Sequence, residues 1–221
     1  MKIATFIIFC VLAVGMAAVY TIFHKEKGYK ALLIRGGSVL ACFALALICA
    51  NLSSLSNAMP LFIFFGTMFM LLSEAMIVSP IEEEKPKMIV FGVLKALTIA
   101  CFGLSALSLT NFNIIALAAG VLFGAGMGCV VCAVKKYKKW YQVLATLLIW
   151  VAIGFLLVEA VFACIKSVHL ISGIMMVGGA AMLMVSQLIR SFAKDESKIN
   201  YVMRALYILG TAIIASSIYF Y

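Results

Sequence analysis

Charge is what this sequence has least of: acidic and basic residues together make up 11% of its 221 positions. A soluble domain carries about a quarter. Proline is confined to three positions and histidine to two, while 66% of the chain is hydrophobic. Each shortage excludes something. So little charge excludes a soluble fold, because a chain of this length cannot hide that much apolar surface from water. Lipid must be the solvent for most of it. Scarce proline, long unbroken apolar runs and no two-residue alternation exclude a membrane β-barrel and leave helices. The histidines stand apart from the Cys129–Cys132 pair, so its CVVC spacing gives no metal-ligand set. Seven cysteines, all in apolar runs, form no disulfide framework, and buried thiols are expected.

What is present is hydrophobic length. About 20 helical residues span the hydrocarbon. Eight runs qualify, at 3–23, 31–50, 58–79, 88–109, 113–134, 143–164, 170–192 and 201–221. The expected fold is an all-α integral membrane bundle of eight transmembrane helices in one polytopic domain, 1–221. The first run starts directly after Met1-Lys2 with no small-x-small cleavage pattern behind it, so a mature helix is expected. Short connections predict that consecutive helices are antiparallel neighbours.

The formal net charge of +9 sits mostly in connections too short to build a nucleic-acid-binding domain. It reads instead as orientation and contact with anionic headgroups. Lys25, Lys27, Lys30 and Arg35 follow the first helix, Lys85 and Lys87 the third, and Lys135, Lys136, Lys138 and Lys139 the fifth. Arg190, Lys194, Lys198 and Arg204 surround the seventh connection. Only Lys2 and Lys166 fall on the other side, a tally of 14 against 2 with the intrahelical Lys95 left out. Odd-numbered connections are then cytosolic and both termini outside. Residues 70–75 (MLLSEA) and 183–188 (LMVSQL) suggest a parallel 4+4 repeat at an offset of 113.

Gly120, Gly124 and Gly128 form a small-residue stripe suited to close helix packing, and Gly178-Gly179 reads the same way. Ionisable residues inside the spans are the candidates for chemistry, because each is costly there unless paired or wet. Glu74 lies about five residues and Lys95 about seven residues from the cytosolic helix ends, or roughly 8 and 11 Å deep at the helical rise. A polar pocket opening to the cytosol is expected from Glu74, Lys95, Ser73, Ser186 and Gln187, with Lys30, Arg35 and Arg204 at its mouth. A cationic rim suits a phosphate headgroup. Snorkelling accounts equally for Arg35, Arg190 and Arg204, and a structural ion pair accounts for Glu74 and Lys95. Glu159 and His169 read as interfacial, and Glu82-Glu83-Glu84 as a solvated loop.

These elements resemble the YhhN family, the membrane lysoplasmalogenases, over most of the chain. Lys30-Ala31-Leu32 stands where the family has Lys-Pro-Leu, Ser73-Glu74 where it has Gly-Asp, and Ser186-Gln187 where it has Ser-Asp. Tyr207 is kept from the family's Tyr-Tyr, Thr211 falls near its following Gln, and Ala100 near its fourth-helix His. The resemblance implies eight helices and a lysophospholipid partner, and no spacing in the chain suggests a metal or organic cofactor. It implies hydrolysis of a vinyl ether by two carboxylates, one supplying a proton and one activating water, as in inverting glycosidases. Glu74 matches the acid. Gln187 replaces the second carboxylate; an amide cannot act as a base but can orient water. Two other readings stay open: a non-catalytic lipid-binding protein of the same fold, and a small-solute transporter. The second lacks the intrahelical proline and mid-depth polarity that broken transporter helices use.

Overall fold

The computed structural model describes residues 2–22, 28–52, 58–78, 83–166, 169–192 and 199–220. Among them there is no strand. Eight α-helices follow one another: α1 Lys2–Ile22, α2 Gly28–Leu52, α3 Met59–Val78, α4 Glu84–Leu107, α5 Ile114–Lys135, α6 Trp140–Lys166, α7 Leu170–Phe192 and α8 Ile199–Ser217, closed by a 3₁₀ turn at Ile218–Phe220. The expected spans differ from these bounds by a few residues, most at α4, which starts at Glu84 rather than 88, and at α8, which ends at Ser217 rather than 221. Lys25, Lys27, Glu82, Lys194 and Lys198 lie outside the described residues.

Local chemistry sets the helix ends. Pro60 and Pro86 both sit in a first turn, where a missing N–H costs nothing. Asn113 caps α5, its side-chain oxygen accepting from the N–H groups of Ile115 (2.9 Å) and Ala116 (3.4 Å). At its other end the chain turns out through Lys136 at φ 50°, whose N–H closes on the Cys132 carbonyl.

Among the described residues, seven helices are long and apolar enough to cross a membrane: those within Leu33–Asn51, Met59–Ile77, Glu84–Leu107, Ile114–Lys135, Trp140–Lys166, Leu170–Phe192 and Tyr201–Phe220. The chain is therefore an integral, multi-pass membrane protein. Its periphery agrees, with large apolar side chains such as Leu122 (72% exposed) directed away from the bundle. A surface of that kind suits lipid and not water. One contiguous core runs through all eight helices, from Ala17 of α1 to Ile214 of α8, with Trp150, Phe102 and Met70 among its fully buried members.

The packing order departs from simple succession at one place. Most consecutive helices pack together, but α6 lies between α4 and α5 and makes the most extensive contacts with both. The glycine stripe explains the second contact. A Cβ at Gly124 would meet the Trp150 carbonyl and lie 2.6 Å from the Val151 Cα. A Cβ at Gly154, the facing residue of α6, would lie 2.5 Å from the Gly124 nitrogen. The stripe is thus consumed by packing within the chain. Gly179 does the same against Gly210 of α8, whereas Gly178 faces open space.

Several buried hydroxyls are satisfied inside their own helices. Ser38, Thr67, Thr98 and Thr211 donate to carbonyls four residues back. The cysteines depart from expectation: Cys42, Cys49 and Cys101 are buried, but Cys132 and Cys164 are only half-buried and Cys129 is exposed on α5. The reason is that α5 is peripheral, so its face away from α6 meets lipid. All six are free.

Candidate functional site

The α3–α4 and α5–α6 connections share one end of the bundle with the last turn of α7, and this basic end holds the main polar cluster. Glu74 stands one turn from the end of α3 and is 4% exposed; Lys95 stands in the third turn of α4 and is 7% exposed. Lys95 turns its ammonium toward two rings, with Nζ 4.5 Å from the centroid of Tyr207 and 5.6 Å from that of Phe91. Arg190 of α7 reaches the same Phe91 ring, its guanidinium carbon 4.9 Å from the centroid. Cation–aromatic contacts at such distances stabilise by about 0.5–2 kcal/mol, more as water is excluded. Lys95 lies in the fields of Arg190 and of the Glu74 carboxylate. The Tyr207 hydroxyl lies beside Glu74 and Ser73 as well.

Two buried oxygens in this cluster have no hydrogen-bond partner among the described residues: Oε2 of Glu74 and the Tyr207 hydroxyl. Ser73 is close to Tyr207 but donates to the Met70 carbonyl at 2.8 Å. An oxygen left in this state costs about 1–3 kcal/mol.

The remaining expected residues divide. Ser186 and Gln187 are both buried on α7. Ser186 donates across to the Met203 carbonyl of α8 at 2.7 Å, so its hydroxyl holds two helices together. Gln187 is 8% exposed and one turn below Arg190 on the same side of α7. Arg35 is half-buried on α2, and Cys42, two turns along the same face, is near Tyr207. Arg204 is half-buried on α8, one turn before Tyr207. Lys30 is exposed in the first turn of α2, off the face that Arg35 occupies. Sequence reasoning missed Tyr207 and Phe91 as cation partners, and it read Arg190 only as an interfacial side chain. The signal was the i to i+4 spacing of Phe91 and Lys95, which sets ring and ammonium on one face.

Two sequence expectations need correction. Glu84 is more than a solvated loop carboxylate: it opens α4, pairs with Lys139 and accepts from Gln142 Nε2 at 3.2 Å. The contact raises the Lys139 ammonium above its usual range, chiefly through the Glu84 hydrogen bond and next through Tyr141. Because both partners are well exposed, this clamp contributes little stability. Glu159, expected at the interface, is fully buried in α6 with neither carboxylate oxygen partnered among the described residues. The helix runs on to Lys166, so Glu159 lies nearly two turns inside, on the side that packs against α4.

Two cavities lie elsewhere. One of about 510 Å³ at the opposite end is lined by the α4–α5 connection, Ser108 to Asn113, with Phe162 and Lys166. The other, about 400 Å³, is an open apolar groove between α4, α5 and α6 lined by Val93, Leu97, Val121 and Phe155 among others. It opens on the side of α4 turned away from Lys95.

No family model, no curated protein and no solved structure matches the chain. The site must therefore be read from its own chemistry.

Proposed function

We propose that this chain is an eight-span protein of the bacterial inner membrane or endoplasmic reticulum, with both termini outside and the basic end in the cytosol. In this reading it is built as a parallel 4+4 repeat and acts on a lysophospholipid. The resemblance to the YhhN membrane lysoplasmalogenases supports the substrate class. The reaction is hydrolysis of the vinyl ether of a lysoplasmalogen. Glu74 delivers a proton to the vinyl carbon remote from the ether oxygen, leaving an oxocarbenium ion. Water oriented by Gln187 adds to the carbon bearing that oxygen and gives up a proton that restores Glu74. The hemiacetal then collapses to a fatty aldehyde and a glycerophospho-alcohol. Ser73, Lys95 and Ser186 line the headgroup site, and Lys30, Arg35 and Arg204 attract it to the entrance.

The observation that carries this reading is the state of Glu74: a carboxyl 4% exposed, with one oxygen unpartnered among the described residues, beside Lys95 and Tyr207. A carboxyl placed that way has an oxygen free to exchange a proton with a ligand. The test is aldehyde release from lysoplasmalogen by purified protein. Glu74→Ala is expected to lower the rate by 10²-fold or more, the usual size of a general-acid contribution. Full activity in that variant removes Glu74 from the reaction.

One observation favours a second reading. Gln187 stands where a second acid would act and has no titratable proton near neutral pH. A protein that holds the lipid without turning it over would copurify with it and release no aldehyde.

A further inference from the structure

Phe91 is approached by two cations from two different helices, and only one of them, Lys95, has a place in the headgroup site proposed above. Arg190 comes from the last turn of α7 with its guanidinium carbon 4.9 Å from the ring centroid, and Lys95 from α4 with its ammonium at 5.6 Å. An aromatic face attracts a cation through its quadrupole but leaves its charge in place. The carboxylate in this cluster is Glu74. Two cations against one carboxylate leave an excess of positive charge in a membrane-embedded cluster, where such charge is costly. The two cations also differ in depth: Arg190 is exposed and Lys95 is 7% exposed. An anion arriving from the basic end meets the guanidinium first and the ammonium second.

We propose that Lys95 and Arg190, held by the shared Phe91 ring, form a binding site for a phosphate group. A phosphate has several strongly accepting oxygens and so can meet two separately anchored cations at once. The planar guanidinium bonds two oxygens side by side, and the buried Lys95 amine nitrogen, an ammonium once the anion is beside it, takes a third. The phosphate is that of a lysophospholipid headgroup or free inorganic phosphate; in the first case the inference rests on the lipid reading above and makes Arg190 its headgroup-selecting residue.

The test compares three ligands on the full chain in a nonionic detergent: a lysophospholipid, a monoacylglycerol of the same chain length, and inorganic phosphate. The lysophospholipid is expected to bind more tightly than the monoacylglycerol, with inorganic phosphate competing. Arg190→Gln, a change at an exposed position, should weaken lysophospholipid binding about tenfold or more, the effect of losing a hydrogen bond to a charged group. Monoacylglycerol binding should not change, and Arg190→Lys should restore part of the loss. Lys95→Met should act in the same direction, and Arg190→Gln decides alone if that variant does not fold. Lysophospholipid binding unchanged in Arg190→Gln overturns the pair even if aldehyde is still released. Phosphate binding that depends on Arg190, with no lysophospholipid binding, upholds the pair and removes the lipid reading instead. Wild-type protein that binds neither phosphate ligand overturns the pair.

Discussion

At the scale of single residues, the sharpest contrast is between the two buried glutamates. Glu74 has cationic and aromatic neighbours, while Glu159 is wholly buried with neither oxygen partnered among the described residues. A buried polar group without a hydrogen bond opposes folding by about 1–3 kcal/mol. Glu159→Leu removes the carboxyl and keeps an apolar side chain of similar reach. It is expected to leave aldehyde release unchanged and to raise the thermal midpoint of the protein in detergent. A lower midpoint would show that Glu159 is satisfied by a group it contacts only in the membrane. Depth along a hydrophobic run was enough to set Glu74 and Lys95 at similar levels from the sequence. It failed for Glu159, because run length does not say where a helix stops, and two residues at the end of α6 move the carboxyl inward. Tyr207 and Arg190 were illegible as partners for a different reason. A ring contact between helices depends on rotation and crossing, neither of which hydropathy encodes.

At the scale of elements, the glycines make α5 the most exacting of the helices. Its Gly120-Gly124-Gly128 face meets the α6 backbone directly, a packing mode that replaces the hydrophobic drive absent between helices in lipid. Gly124→Ala would bring a methyl against the Trp150 carbonyl and Val151 Cα. The helices must then part, at a cost of about 1–3 kcal/mol. Gly126, two residues on, has open space where a Cβ would stand. Gly126→Ala should therefore stabilise by about 0.5–1 kcal/mol through helix propensity alone. Unfolding of the two variants by SDS in mixed micelles measures both signs. Equal effects would mean that the stripe is not an interface. The stripe was readable from its four-residue spacing, and so was its role in packing. Its partner was not, because α6 is next to α5 in sequence but also wedges against α4, an arrangement that no local pattern records.

At the scale of the whole molecule, the open matter is whether α1 is a span. Seven candidate spans lie in α2 to α8 among the described residues, and α1, 21 residues long and as apolar as α5, has the length for an eighth. It packs on α2 and α8, and Ala17 within it is 4% exposed. In the proposed orientation the charge bias of 14 against 2 sets α2 to α8 the same way in either case, with the lysines of the α3–α4 and α5–α6 connections in the cytosol. What changes is the first residues alone: outside if α1 spans, inside if it lies against the cytosolic face. Single cysteines on a background with the seven native ones replaced by alanine resolve the two. Lys138→Cys should react only with a maleimide that crosses the membrane, and Lys166→Cys with one that does not. Lys2→Cys is expected to react like Lys166→Cys, placing both ends of α1 on opposite sides. If Lys2→Cys instead behaves like Lys138→Cys, the bundle has seven spans. The 4+4 repeat then goes with the eighth, since four spans on one side of it would face three on the other. The cluster of Glu74, Lys95, Arg190 and Tyr207 would survive, because it draws on α3, α4, α7 and α8 alone.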